Sequence, residues 1–348
     1  MKIPSFLTHF FFDRQSASGF GLMRIVWAAL VLITFIVQGT DLLFFYSDQG
    51  LMNPEVSQAV LRTAHRFSLL SYIHSPLLLG CIYGIFIFFL CMMLVGIAPR
   101  VSTIVSVLLL FTFNERMPYV LGGGDTVLRT VGFILMLSPS IEAMSLQRLF
   151  LQLKHAEKNQ QLLPPLTMPL WPYRLLVWQV IIVYVYSFFD KLRGATWLHG
   201  TAAQIALHHP TFARSLIVSD AISPALSFIT YATLLFEALW IGLLIPRWFT
   251  DLLPQWMQAI RLKRLLIAAG IIFHLSIFVL MEAGSFSLAM MMAYIGLLRD
   301  DDRAWLRKKI GSAAWKHAAH PIVILFDGHC GLCTRSTTII MLMDWLQQ

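Results

Sequence analysis

The chain has 348 residues, of which 57% are hydrophobic and 13% charged, and its formal net charge at pH 7 is +8. Soluble domains normally carry about a quarter charged residues and roughly half apolar residues. With a mean hydropathy of +0.71, the chain is neither disordered nor a soluble globule, and its positive charge does not indicate nucleic-acid binding. A polytopic membrane protein remains.

Apolar stretches long enough to cross ~30 Å of hydrocarbon as a helix recur along the chain. We predict an all-α integral membrane bundle of about eight spans, followed by a short strand–helix fragment. The predicted spans are about 20–40, 76–97, 101–118, 127–139, 173–189, 222–245, 264–281 and 286–298. The fourth and eighth are short, so we expect them to be re-entrant or shielded by neighbouring helices.

The distribution of basic residues predicts the orientation, because Lys and Arg collect on the cytoplasmic side of membrane helices. With the N-terminus inside, the cytoplasmic segments hold sixteen Lys and Arg residues, and the external segments hold Arg62, Arg66, Lys191, Arg193 and Arg214. We therefore expect an even number of spans with both termini cytoplasmic. The polar, proline-containing segment 141–172 is predicted to be a cytoplasmic linker between two groups of four spans.

Several polar or ionisable residues lie within the predicted spans or at their ends. Each ionisable group at mid-bilayer costs at least ~2.5 kcal/mol and therefore needs a partner or a function. These residues are Arg24, Asn114, Glu115, Arg116, Asp125, Arg129, Asp190, Lys191, Glu237, His274 and Glu282. Under the predicted topology Asp125, Lys191 and Glu282 emerge on the outer face, which predicts a polar outer vestibule.

Lys191 closes the fifth predicted span. In a helix, Tyr184, Ser187 and Lys191 share one face at positions i, i+3 and i+7, so Lys191 would project back toward the bundle. A lysine held in an apolar wall can lose its proton near neutral pH and act as a base. Lysines at such positions are more often interfacial or half of an ion pair.

Other candidates also have structural alternatives. His274 fits a hydrogen-bonded bundle residue as well as a functional one. The run Gly122–Gly124 fits a tight turn or a close approach of the backbone to a ligand. No HxxxH or ExxH pair lies on a span, and His208–His209 is an external doublet, so we expect no metal site.

Taken together, these features resemble the horizontally transferred transmembrane (HTTM) domain, the membrane part of vitamin-K-dependent γ-carboxylase. The most specific match is a lysine that closes a span, followed by a short turn and Trp-x-x-Gly, in VYVYSFFDKLRGATWLHGTA. The resemblance covers about residues 10–300 and assigns 1–300 to an HTTM-like domain. The matching stretches are 20–52, 122–140, 183–202 and 271–298.

The resemblance implies a menaquinone- or vitamin K-type hydroquinone as cofactor, with Lys191 as the base that deprotonates it. Candidate catalytic residues are then Lys191, His274 and Asp125, and candidate cofactor-binding residues are Tyr184, Ser187, Trp197 and Glu282. The chain departs from the carboxylase at Asp190, which stands where the carboxylase has a second lysine. An adjacent carboxylate would tend to keep Lys191 charged. The large extramembrane region that grips the carboxylase's protein substrate is also missing, so we do not expect carboxylation of a protein.

The C-terminal sequence PIVILFDGHCGLCTRST, at 321–337, resembles the start of a DCC-family thiol-disulfide oxidoreductase. We predict a strand followed by a CxxC that opens a helix, with Cys330 as the attacking thiolate and Cys333 as the resolving thiol. A complete domain needs roughly 100 residues. Segment 321–348 is therefore interpreted as a truncated fragment, joined through a basic cytoplasmic linker at 301–320. Zinc binding by this CxxC would need a second cysteine pair, which the sequence does not provide.

Two functional hypotheses follow. The first is a membrane enzyme that acts with a lipid-soluble quinol in the outer vestibule, in the bacterial inner membrane. The second is a non-catalytic membrane protein that binds or transports a lipid or small molecule, in which Lys191, Asp125 and Glu282 form structural ion pairs. Membrane lipid is the expected partner in both.

Overall fold

The computed structural model describes residues 5–63, 66–139, 141–214, 223–244, 261–314 and 330–343. A helix lies at each place where the sequence predicts a span. The helices are α2 (Ser18–Gly39), α5 (Pro76–Val95), α6 (Pro99–Arg116), α7 (Gly123–Leu137), α9 (Trp171–Lys191), α12 (Ser223–Leu239), α13 (Leu262–Leu280) and α14 (Phe286–Leu297).

Five of the described helices are long and apolar enough to cross a membrane. They are Ser18–Gly39, Pro76–Val95, Trp171–Lys191, Ser223–Leu244 and Leu262–Leu280, where the fourth includes the 3-10 turn Trp240–Leu244. The chain is therefore a polytopic membrane protein.

The other three helices are too short or too polar to cross a membrane by this criterion, each for its own physical reason. At 1.5 Å per residue, the 15 residues of α7 and the 12 residues of α14 extend only about 22 Å and 18 Å. The hydrocarbon core is about 30 Å thick. Helix α6 has 18 residues and ends in Asn114, Glu115 and Arg116, which lowers its apolar content. Eight full spans are therefore a proposal rather than an observation.

The chain divides into two compact units. The first contains residues 1–120, 132–172 and 295–348. In addition to α2, α5 and α6 it holds α1 (Ser5–Phe12), α3 (Leu42–Tyr46), α4 (Pro54–Thr63), α8 (Leu146–Asn159), α15 (Asp300–Ala314) and α16 (Gly331–Met343). A 3-10 turn covers Leu69–Tyr72, and β1 (Arg14–Ser16) pairs antiparallel with β2 (Thr167–Pro169).

Helix α5 shows how local sequence sets the helix ends in this unit. Ser75 precedes the helix and its side chain accepts a hydrogen bond from the Leu78 amide, while Pro76 occupies the first turn. Gly96 ends the helix with a φ of 80°, a left-handed conformation that favours glycine. On the packed face, the rings of Phe35, Phe86 and Phe113 lie 4.8–5.6 Å apart and join α2, α5 and α6.

Two buried arginines connect loops to the helices of this unit through hydrogen bonds. The Arg24 side chain, fully buried in α2, donates to the Met93 carbonyl of α5 and, at 2.9 Å, to the Met144 carbonyl before α8. The Arg116 side chain, fully buried at the end of α6, donates to the carbonyls of Ser47 and Met52, each at 3.1 Å. Each arginine therefore donates hydrogen bonds to two backbone carbonyls and so has polar partners for its buried guanidinium.

Two segments interpreted as linkers contain regular structure. Segment 141–172 holds α8 and β2. The basic segment after residue 300 forms α15, whose first turn carries Asp300, Asp301 and Asp302. Acidic residues there complement the positive end of the helix dipole. In the tail, the predicted helix is present as α16, whereas the strand predicted before the CxxC lies outside the described residues.

The second unit contains residues 121–131 and 173–294. It is built from the first part of α7, most of α9, α12, α13 and most of α14, with the short helices α10 (Ala195–Leu198) and α11 (Ala202–His208). Its core includes Tyr184, Trp240 and Tyr294, each at most 2% exposed. All the candidate site residues apart from the two cysteines of the tail lie in this unit.

Candidate functional site

Lys191 forms a compact hydrogen-bonded group with two other side chains of the second unit. Its Nζ donates to the hydroxyl of Ser187, one helical turn earlier, and lies 2.9 Å from Oε1 of Glu237 on α12. The Ser187 hydroxyl donates to the same carboxylate oxygen at 3.0 Å. The Lys191 side chain is 20% exposed and that of Glu237 only 3%, so the pair joins a buried carboxylate to an ammonium that reaches the surface.

Trp197 lies next to this group. The chain turns after α9, where the Gly194 amide donates to the Lys191 carbonyl at 2.9 Å, and α10 follows directly. The turn brings Nζ of Lys191 to 5.0 Å from the centre of the Trp197 ring, within the range of a cation–π interaction. A basic nitrogen and a flat aromatic surface therefore stand together at the end of α9.

Asp190, the residue adjacent to Lys191, points to a different face of α9. It is exposed and lines an open groove of about 390 Å³ together with Ile182, Tyr186 and Arg193. Within the part of the chain that the structure describes, the carboxylate paired with Lys191 is that of Glu237. The carboxylate next to the Lys191 ammonium therefore belongs to a residue of another helix and not to the adjacent Asp190.

Tyr184 and His274 belong to a second, fully buried group. The Tyr184 hydroxyl lies 2.8 Å from Nε2 of His274 and is hydrogen-bonded to the Tyr294 hydroxyl. The Trp240 ring stacks on both phenols, with ring centres 4.9 Å from Tyr184 and 5.8 Å from Tyr294. The predicted face of α9 is thus divided: Ser187 and Lys191 contact Glu237, whereas Tyr184 contacts His274. His274, predicted as a candidate catalytic residue, contacts Tyr184 and has no hydrogen bond to Lys191 among the described residues.

Asp125 stands at the start of α7, where its carboxylate accepts a hydrogen bond from the Gly122 amide at 2.8 Å. It has the position and contact of a residue that stabilises a helix N-terminus. No contact joins Asp125 to Lys191 among the described residues. The neighbouring Gly124 packs closely, because a Cβ there would lie 2.3 Å from the Ser285 hydroxyl and 2.6 Å from the Phe286 amide nitrogen.

Glu282 pairs with Arg214 across a short backbone bridge. The Glu282 carboxylate lies 3.1 Å from Nε of Arg214, and its side chain is 60% exposed. The pairing of Ala213 with Met281 brings the two segments together. Glu282 therefore has the structural ion pair that the second hypothesis assigned to it.

Three residues of these groups were not among the predicted site residues. The sequence shows Glu237 as a carboxylate inside an apolar span, but it does not reveal that Lys191 is the partner of this carboxylate. Trp240 follows it at i+3 and so shares its face of the helix. Tyr294 lies in the apolar run AMMMAYIGLL, which carries no signal of a polar contact.

Cys330 and Cys333 lie in the first unit, at the start of α16. The Cys333 amide donates to Sγ of Cys330 at 3.4 Å, as expected for a CxxC that opens a helix. Helix α16 packs on α8, where the Arg335 guanidinium donates to the Glu157 carboxylate. Over the described ranges, no group of three or more His, Cys, Asp or Glu side chains could hold a metal ion.

Comparison with known proteins gives one relative. The chain is similar to the sporulation-delaying protein SdpB of Bacillus subtilis (strain 168), with 22% identity over 281 residues, or 79% of each chain. No family model matches the chain, and no solved structure matches it.

Proposed function

We propose that this membrane protein is a quinol-linked enzyme in which Lys191 and Glu237 together form the proton-transfer centre. The observation that carries the proposal is the ion pair between Nζ of Lys191 and Oε1 of Glu237 at 2.9 Å. The second carboxylate oxygen, Oε2, is buried and has no hydrogen-bond partner among the described residues. A carboxylate with free capacity to accept a hydrogen bond, joined to an amine at the surface, is suited to moving protons.

The pair explains how Lys191 can act as a base although it has a carboxylate partner. Transfer of a proton from Nζ to the Glu237 carboxylate, 2.9 Å away, leaves an uncharged amine and an uncharged carboxyl group. The freed lone pair of Nζ can then accept a proton from a bound hydroxyl group. The Ser187 hydroxyl is hydrogen-bonded to both side chains and so keeps them in position.

The residues around Lys191 fit a hydroquinone in their chemistry. A hydroquinone, when bound, supplies two electrons and two acidic hydroxyl groups. Lys191 would contact a hydroxyl oxygen, and Trp197 would offer a flat surface to the ring. The resemblance to the γ-carboxylase membrane domain supports this cofactor class. No step of protein carboxylation forms part of the proposal.

The finer topology is also proposed. Eight helical segments, both termini cytoplasmic and a bacterial inner-membrane location agree with the sixteen-to-five distribution of Lys and Arg. The similarity to a Bacillus protein supports the bacterial setting.

A second candidate function rests on the same ion pair. If Lys191 and Glu237 are permanently charged, the pair only joins α9 to α12, as the pair of Arg214 and Glu282 joins two neighbouring segments. The protein would then bind or transport a lipid or small molecule without chemistry at Lys191.

A lipid extract of the purified full-length protein, followed by titration with vitamin K hydroquinone in nanodiscs, separates the two functions. The proposal predicts a co-purifying naphthoquinone or saturable hydroquinone binding, weakened in Glu237→Gln. The matched control is Glu115→Gln, because Glu115 is also a buried carboxylate paired with a basic residue, Arg66, at 2.7 Å. Bound phospholipid without quinone, or equal binding by both variants, favours the non-catalytic function.

A further inference from the structure

Helix α8 is fixed at the end of a membrane-spanning helix. The Gln147 amide at its start donates to the Gly96 carbonyl at 3.2 Å, and Gly96 directly follows α5. The Arg24 guanidinium binds carbonyls on both sides of this junction, those of Met93 and Met144. The start of α8 therefore lies beside the end of α5, a helix long and apolar enough to span a membrane.

The two faces of α8 have different surroundings. One face contains the buried Gln152 and Ala156, and the Gln152 amide group holds the backbone of Leu163 through two hydrogen bonds of 2.7 Å and 3.1 Å. The other face carries Phe150, which is 57% exposed, and Leu151, which is 48% exposed. Two large apolar side chains thus stand uncovered on a helix held at the end of a span.

The exposed face forms a groove with the turn between α5 and α6. The groove has a volume of about 430 Å³ and is lined by Ile97, Ala98, Leu146, Gln147, Phe150, Leu151 and Lys154. Its walls are mainly apolar, Lys154 carries its only charge, and none of these lining residues is acidic. Lys158 is exposed one turn beyond Lys154 on the same side of the helix.

We propose that this groove binds an anionic phospholipid, and that α8 lies in the plane of the membrane surface. An acyl chain would cover Phe150 and Leu151, and the headgroup phosphate would pair with Lys154. Three properties support this occupant: continuity of the groove with the end of α5, an apolar surface that no described residue covers, and a lysine whose stem can follow that surface while its ammonium reaches the headgroups. The site is separate from the Lys191 group and independent of the function proposed for it.

Native mass spectrometry of the detergent-purified full-length protein, titrated with dioleoyl phosphatidylglycerol or dioleoyl phosphatidylcholine, tests this site. We expect tighter binding of phosphatidylglycerol, and an affinity about fivefold lower in Lys154→Gln. Lys308→Gln is the matched control, since Lys308 is an exposed lysine on α15, and should bind as wild type does. Phe150→Gln should weaken the binding of both lipids.

Glycerol 3-phosphate, added as a competitor, distinguishes a lipid from a free phosphate. We expect no displacement, because the acyl chain supplies much of the affinity. Equal affinity for the two lipids, no effect of Lys154→Gln, or displacement by glycerol 3-phosphate would overturn the proposal. A concentration-dependent dimer that Phe150→Gln abolishes would also overturn it, because a second copy of the chain would then cover the groove.

Discussion

Lys191 and Glu237 are 46 positions apart in the chain, yet Nζ of the lysine lies 2.9 Å from a carboxylate oxygen of the glutamate. The two side chains are unequal, because the lysine is 20% exposed and the glutamate 3%. Loss of the lysine and loss of the glutamate should therefore affect the stability of the protein to different extents. A lysine without its partner can turn to water, whereas a buried carboxylate cannot.

We expect Lys191→Met to destabilise the protein more than Glu237→Gln does, because the first leaves an uncompensated buried carboxylate. A double-mutant cycle should give a coupling free energy of about 1–3 kcal/mol. Thermal unfolding of the detergent-solubilised variants measures both quantities. Additive effects of the two substitutions would show that the pair contributes nothing to stability.

The glycine run before α7 offers a test of local packing. Gly124→Ala should cost about 1–3 kcal/mol of unfolding free energy, since its Cβ would lie 2.6 Å from the backbone nitrogen of Phe286. Gly122→Ala is the matched control, because the nearest atom to its Cβ would be 3.8 Å away on Asp125. Equal stability of the two variants would contradict the close contact between Gly124 and the start of α14.

Removal of the tail should have little effect on the membrane region. Helix α16 contacts α8 through an ion pair in which the Arg335 side chain is 59% exposed, and such pairs contribute little to stability. The buried side chains in the described part of α16 are those of Thr334, Thr337 and Thr338, which are small and polar, so the helix buries little apolar surface. Truncation after Ala314 should therefore change the Tm by less than about 2 °C. A much larger decrease, measured by thermal unfolding of the truncated protein, would make α16 an integral part of the fold.

The orientation can be tested with reporter fusions after residues 50, 160, 205 and 320. We expect external positions at 50 and 205 and cytoplasmic positions at 160 and 320, because Lys and Arg concentrate in the segments assigned to the cytoplasm. An external reporter at 160 or 320 would contradict the eight-span topology.

Much of the helical arrangement could be predicted because apolar length is a local property. The sequence predicts a span at 76–97, and the observed helix covers Pro76–Val95. Its ends can be recognised in the sequence, because Ser75 and Pro76 are typical of a helix start and Gly96 of a helix end. Helix α8 was interpreted as a linker because its polar composition and the prolines after it dominate the local pattern. The exposed apolar side chains of α8 indicate a membrane-surface helix only once the structure places the start of α8 at the end of α5.

The site was less predictable because its contacts depend on tertiary packing. The shared face of Ser187 and Lys191 follows from helix periodicity, and the structure brings these two side chains together. The choice between Asp190 and Glu237 as the partner of Lys191 depends on which face of α9 meets α12. Neighbouring residues on a helix point in different directions, so proximity in sequence favoured the wrong carboxylate.

Hydroquinone binding by Lys191 variants tests the central claim most directly. Vitamin K hydroquinone is titrated into nanodiscs that hold wild type, Lys191→Ala or Lys191→Arg, and thermal unfolding confirms that each variant is folded at the assay temperature. The account predicts loss of hydroquinone binding in both variants, because an arginine keeps the positive charge but cannot give up its proton. Binding restored by Lys191→Arg, or undiminished in Lys191→Ala, would contradict a role for Lys191 as the base and leave the ion pair with Glu237 as a structural contact.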